Sequence, residues 1–290
     1  MTIHPTAIVS SQAEISSDVE IGPYSIVEQG VRISAGCRLA ARVSIREGTS
    51  LGPETTVSEG TVLGGLPQHM HAPENPGRLV IGARNIIREH VTVHRSLQAG
   101  TSTVIGNECM LMVGSHVAHD CQLGNNVILT NGVMLGGHIE VGDRACFGGN
   151  AAVHQFTRVG RLAMIGGCTK LTRDVPPFML TDGTTAMVSG LNKVGLRRAG
   201  FGREEITELK AAYRVIYREG LLFEDMIAAL EEKFTEGVTA ELAPFFRDGK
   251  RGFVQERRSP PHVTLRVHPE MDTDMDVDTE DETPGRRMAG

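Results

Sequence analysis

Over most of this chain an apolar residue recurs at every sixth position. From Ile3 the series runs through Val9, Ile15, Ile21, Val27, Ile33, Leu39, Ile45, Leu51 and Val57 to Leu63 without a break. It fails at His69 and Asn75, resumes at Ile81, Ile87 and Val93, and weakens at Ala99. It then continues from Ile105 through Leu111, Val117, Leu123, Leu129, Leu135, Val141, Phe147, Val153, Val159 and Ile165 to Leu171. Two positions ahead of these sits a small or β-branched residue, as at Ala7, Val19, Ser25, Cys37, Val43, Cys109, Cys121 and Val133. A period of six fits neither an amphipathic helix nor an array of hairpins. It fits flat coils of triangular section with one hexapeptide per side, eighteen residues per coil, and parallel pairing between coils about 4.8 Å apart. Glycine often follows the apolar position, as in Ile21-Gly22, Ile105-Gly106 and Val141-Gly142. A corner there is expected to need unusual backbone angles.

The break in phase marks residues 64–80, with three prolines in GGLPQHMHAPENPGR, as a loop thrown out from the coils. Long loops on a regular scaffold are often functional. The coils are expected to end near Leu171, where RDVPPFMLTDG sets two prolines in place of a strand, closing a first unit at residues 1–185. Residues 186–258 form a second, helical unit. Ile206, Leu209, Tyr213, Ile216 and Tyr217 keep helical spacing, and Leu221 to Phe234 and Ala240 to Phe246 read as helices too. Residues 259–290 are acidic and poor in large apolar groups, the composition of a disordered tail.

With 290 residues and 40% hydrophobic content, the chain has material for a real core. It shows no run of about 18 apolar residues to span a bilayer and no signal-peptide pattern at its start, so a cytoplasmic location is expected. The net charge of −6 leaves no basic footprint for nucleic acid. Five cysteines without a CxxC pair fit reduced thiols. Nothing in the pattern calls for a cofactor or a resident metal.

Histidines carry the chemical signal. His119 and His138 are nineteen residues apart and His138 and His154 sixteen, each close to one coil, so the three should lie along one edge of the prism. Gly137 falls one coil above His119, and Gln155 falls two.

These residues sit in longer strings: GSHVAHDC at 114–121, LGGH at 135–138, AAVHQF at 151–156, IGGC at 165–168, RDVPPF at 173–178 and GLNKVGLRRAGF at 190–201. Together they resemble the bacterial UDP-N-acetylglucosamine O-acyltransferases of lipid A synthesis, over about residues 3–253. The resemblance implies a left-handed parallel β-helix with a small C-terminal helical domain. It further implies a homotrimer with sites between chains and transfer of a 3-hydroxyacyl group from acyl carrier protein to UDP-N-acetylglucosamine. It places the general base at His119, with Asp120 to orient it, and the oxyanion-binding N–H at Gly137. A neutral imidazole suits such a base near pH 7. Sugar nucleotide or acyl chain falls to His116, His138, His154 and Gln155. Asn192 and Arg198 meet the acyl or phosphate end, and Gly167 limits acyl length, glycine suggesting a long chain. His69 and His71 stand where the family places an acidic and a basic residue against the sugar, and Ala199 replaces an arginine. Adjacent strand residues face opposite ways, so a His119–Asp120 pairing calls for corner geometry.

Lys210, Arg214 and Arg218 recur every four positions as a basic stripe, a docking face for the acidic carrier protein or else a solvated face. Rival readings are an acyltransferase acting on a 3-amino sugar, an N-acyltransferase, which usually carries an extra N-terminal domain, and a zinc hydratase like the γ-class carbonic anhydrases, using His116 and His119. A non-catalytic scaffold is the remaining alternative.

Overall fold

Thr2 pairs with Glu20 and Ile3 with Ile21, and that offset of eighteen recurs up the chain, in parallel every time. The structure, a computed structural model, describes residues 1–257; the acidic segment 259–290 lies outside the described residues. Short strands, most of two residues, stack into three sheets of eleven, nine and eight strands, which are the three sides of the prism. Among the described residues the structure is therefore a hexapeptide-repeat β-helix followed by four short α-helices.

The six-residue series faces inward. Leu39, Val57, Ile87, Leu111, Leu129, Phe147 and Ile165 form one buried column on the first sheet. Each such side chain contributes about 1.5–3 kcal/mol on burial. The residue two positions earlier also points in, and its small size lets polar groups serve the coil: Ser25 Oγ donates to Ala40 O at 2.8 Å and Thr61 Oγ1 to Arg88 O at 2.7 Å. Cys121 Sγ–H donates to Gly136 O, and burial pushes this thiol up to about 12. All five cysteines are unpaired.

Left-handed backbone recurs every six residues, at Tyr24, Gly30, Gly36, Arg42 and Gly48 and again from Glu108 through Cys168. The glycines that follow the apolar position are not at these corners. Their reason is crowding: a Cβ on Gly106 would lie 2.4 Å from Gly124 O of the next coil. The expectation of unusual angles there is corrected to one of close coil approach.

Two coils are longer than eighteen. Val57 pairs with Ile87, thirty residues on, because residues 66–77 leave the prism between strands Val62–Gly65 and Arg78–Ile81. Strand residues thus trim both ends of the expected 64–80 loop. Thr92 pairs with His116, twenty-four on, because a second excursion at 95–101 separates strands Thr92–His94 and Ser102–Ile105. This accounts for the weak phase at Ala99.

Beyond Leu171 the two prolines do not end the sheet. Strand Met179–Asp182 adds in parallel to Met164–Ile165, and strand Met187–Leu191 folds back on it antiparallel. Helices α1 (Lys193–Arg198), α2 (Arg203–Tyr217), α3 (Phe223–Lys233) and α4 (Leu242–Arg247) follow. Arg158 binds Asp174 Oδ2 at 3.0 Å and Phe245 O at 2.5 Å, and Arg161 binds Glu241 at 2.5 Å. Through these contacts coils and helices make one compact unit.

Candidate active site

His119 and Asp120 form the turn that follows strand His116–Val117, with Asp120 at the corner, φ +61°. The left-handed turn swings the carboxylate to the imidazole side, which an extended backbone would not do. His119 Nδ1 lies 2.7 Å from Asp120 Oδ2. The carboxylate can only accept, so Nδ1 carries the proton and Nε2 keeps its lone pair. The Cε1–Nε2 side of the ring lies against Gly137: a Cβ there would stand 2.7 Å from Cε1 and 2.9 Å from Nε2. Gly137 is buried, and among the described residues its N–H meets no acceptor, while its neighbours Gly136 and His138 donate to Val153 O and His119 O. The imidazole thus packs on a residue whose backbone donor is free.

Burial alone would raise the Asp120 carboxyl. Hydrogen bonds from Ser96, His119 and the Leu97 N–H, with the nearby His138, outweigh it and hold it below its ordinary value. His138, also at a left-handed corner, sets its ring 5.1 Å from His119, edge to face, and stacks on Phe156 at 4.5 Å. The first excursion brings His69 to 6.1 Å from the His119 ring, with His71 beside it. His116 Nδ1 is held by Thr92 Oγ1 at 2.7 Å. His154 and Gln155 are exposed two coils along, His154 in the column of Ala118, outside the ring cluster. The single edge expected from the spacing is therefore three adjacent columns.

His94 escaped the sequence reading. Its ring lies 5.0 Å from His116. It is 25 residues from His119, a spacing that looks unrelated to a coil until the extra six residues of the second excursion are counted. Burial, followed by the nearby His116 and His119, lowers it to about 4, and its Nδ1 has no partner among the described residues. The unfolded chain takes up a proton near pH 6.5, and the folded chain resists until about 4. Stability held by the neutral ring is therefore complete above pH 6.5 and is lost as pH falls from there. Urea unfolding is expected to show a loss of about 2 kcal/mol between pH 7 and pH 5, most of it absent in His94→Phe. An equal slope in the variant would assign the acid lability elsewhere.

His119, Asp120 and His138 can each offer a ligand atom within 4.8 Å of the others. Asp120 Oδ2 lies 2.7 Å from His119 Nδ1 and 3.7 Å from His138 Nε2. Zinc with bonds near 2.0–2.1 Å separates tetrahedral ligands by roughly 3.3 Å, so the first contact is a hydrogen bond rather than a shared metal. The donor set fits an oriented base better than a metal centre.

Beyond the coils, Asn192 caps α1: its Oδ1 accepts Gly195 N–H at 2.9 Å and its Nδ2 donates to Leu162 O at 2.9 Å. Its amide is thus engaged at both ends. Arg198 is exposed, with no ion pair among the described residues. Gly167 is exposed, and a Cβ there would meet Gly149 O at 3.3 Å, a tight contact but a looser one than the 2.4 Å at Gly106. Lys210 and Arg214 line a cavity of about 260 Å³ with Lys193 and Tyr213. Arg218 differs from the expected stripe. It caps α2 and pairs with Glu256 at 2.8 Å, which also accepts from Tyr213.

Hexapeptide coils that hold an oriented imidazole against a free backbone N–H define a hexapeptide-repeat transferase. A bacterial transferase hexapeptide model matches residues 102–137, and a model described as UDP N-acetylglucosamine O-acyltransferase, domain 2, matches residues 174–254. An acyl-(acyl-carrier-protein)–UDP-N-acetylglucosamine O-acyltransferase of Paraburkholderia phymatum is 39% identical over 259 residues, 87% of this chain and 99% of the relative. That of Halorhodospira halophila is 40% identical over 255 residues, with the same coverage. The solved structure of the Acinetobacter baumannii enzyme superposes with a TM-score of 0.84 at 35% identity, covering 88% of this chain and all of that one. The Francisella novicida UDP-N-acetylglucosamine acyltransferase gives 0.86 at 30%, covering 89% and 95%. The chain belongs to the acyl-(acyl-carrier-protein)–UDP-N-acetylglucosamine O-acyltransferase family.

Proposed function

We propose that this protein transfers a 3-hydroxyacyl group from the thioester of acyl carrier protein to the 3-hydroxyl of UDP-N-acetylglucosamine, the first step of lipid A synthesis. One observation carries the mechanism: the His119 imidazole packs against Gly137, whose N–H has no partner among the described residues. Nε2 takes the proton of the sugar hydroxyl as its oxygen attacks the thioester carbon. The carbonyl oxygen becomes an oxyanion at the Gly137 N–H. Collapse breaks the carbon–sulfur bond, and the proton on Nε2 passes to the leaving thiolate. Asp120 keeps the imidazole in the Nδ1–H tautomer throughout.

His69 and His71 reach over the base from the first excursion and meet the hexosamine; His116, His138, His154 and Gln155 line the approach. Gly167 leaves the acyl groove open to a long chain, and Arg198 offers its guanidinium to the phosphate end, near the cap at Asn192. The working unit is a homotrimer with the histidine columns at a groove between chains. The exposed Met134 (48%) and Phe156 (51%) are apolar surface that a neighbouring copy would cover.

The test is product formation from UDP-N-acetylglucosamine and a panel of 3-hydroxyacyl carrier proteins, read by mass spectrometry. An ester at the sugar 3-oxygen is expected; an amide formed only on a UDP-3-amino sugar would overturn the substrate. Run as a dilution series, the same assay would overturn the trimer if a monomeric fraction kept full specific activity. Lys210 and Arg214 present the docking charge for the acidic carrier protein, while Arg218 is neutralised by Glu256. Reversing Lys210 and Arg214 to Glu is expected to raise KM for the carrier protein about tenfold at unchanged kcat. An unchanged KM would remove this face from the docking surface.

A further inference from the structure

We infer that Ser96 is a positioning residue for the base, and that the second excursion, residues 95–101, holds it at its station; the inference rests on the reading of His119 as base. The six residues that lengthen this coil put Ser96 in a fully buried place against Asp120. Ser96 Oγ bonds Asp120 Oδ1. The adjacent Leu97 N–H donates to Oδ2 at 3.1 Å, and the Asp120 N–H donates to Thr103 Oγ1 at 2.8 Å. The carboxylate is thereby fixed at two points and the Asp120 backbone at a third, none of them in the His119 segment.

Proton counting gives the direction of the chain of bonds. An ionised carboxylate only accepts, so the single hydroxyl proton of Ser96 is committed to Oδ1. Ser96 Oγ also touches Thr101 Oγ1, which must then be the donor in that contact, sharing its proton with Gln98 O at 2.7 Å. The Ser96 backbone is clamped too, its N–H on Arg78 O at 3.1 Å and its carbonyl accepting Gly77 N–H at 2.8 Å. With Oδ1 held by Ser96, Oδ2 is turned toward His119 Nδ1. The competing group is His138 Nε2, 3.7 Å from the same oxygen. Without Ser96 Oγ only the Leu97 N–H restrains the carboxylate, which can then turn toward His138, and the His119 tautomer is no longer dictated. Positioning errors of this kind cost rate without costing substrate affinity.

The test is Ser96→Ala in the full chain, with the His119 tautomer read by nitrogen-15 NMR beside steady-state kinetics. In the parent His119 is expected as the Nδ1–H tautomer. In Ser96→Ala a mixture with the Nε2–H form is expected, with kcat lowered about tenfold and both KM values within twofold. Thr101→Val, which removes only the outer donor, should shift both readouts the same way by less. An unchanged tautomer overturns the proposal alone, including the case in which kcat falls together with Tm. A shifted tautomer with unchanged kcat overturns it together with the assignment of His119 as base.

Discussion

His119→Ala is expected to lower kcat by about 10³-fold while KM for UDP-N-acetylglucosamine moves by no more than a few fold, because a positioned general base acts in the transition state rather than in binding. The geometry gives reasons for that split. His119 is 7% exposed, its Nδ1 is spent on Asp120, and only Nε2 is left to take a proton, beside Gly137. Among the described residues no second imidazole is oriented to take over. His138 stacks on Phe156, and His116 is tied by Nδ1 to Thr92. His69 is close, at 6.1 Å between rings, but it is exposed on the first excursion, and its Nδ1 accepts the His71 N–H at 3.1 Å. Truncation also removes packing, so the circular dichroism and Tm of the variant should stay near those of the parent for the kinetic result to be read as chemistry. A loss below tenfold would move the base to another residue, His69 being first in line.

The six-residue period made the prism legible because a coil side is one hexapeptide and every coil repeats the same inward contacts. It also placed Gly137 over His119, since both lie in regular coils. What could not be read was anything that depends on a break in the period. His94 and Ser96 flank or occupy the second excursion, where the sequence shows only a weak alanine at position 99, and a spacing rule built on eighteen misplaces everything across it. Corner conformation was equally hidden. The left-handed positions include Asp120, His138 and Phe156, where side chains rather than glycine occupy the turn. Nothing in their identity announces it, yet that conformation is what lets neighbouring residues 119 and 120 pair. The glycines that are conspicuous in the sequence answer to coil spacing. After Leu171 local punctuation misled, because Val175 bridges to Val159 just before the prolines and strand Met179–Asp182 pairs with Met164–Ile165 just after them, which carries the coil past.

Gly137→Ala is expected to cost about 10²-fold in kcat with little change in Tm, the loss that follows when a catalytic group is misplaced by about 1 Å. A methyl at this position would lie 2.7 Å from His119 Cε1 and 2.9 Å from Nε2. These are distances that only displacement of the ring relieves, and the ring is the mobile partner because the nearest atoms belong to a side chain. Gly106→Ala is the contrasting case: its methyl would meet Gly124 O at 2.4 Å, a backbone atom of the next coil, so that variant should lose stability. Two causes can lower kcat in Gly137→Ala, displacement of the base or displacement of the N–H itself, and a double-mutant cycle separates them. If the methyl acts through the imidazole, it should cost almost nothing in a His119→Ala background, where the ring is gone. If it acts through the N–H, the full 10²-fold loss should persist there. The distances favour the first outcome, with most of the effect vanishing. An undiminished loss in the double variant would make the backbone donor the part that the glycine protects.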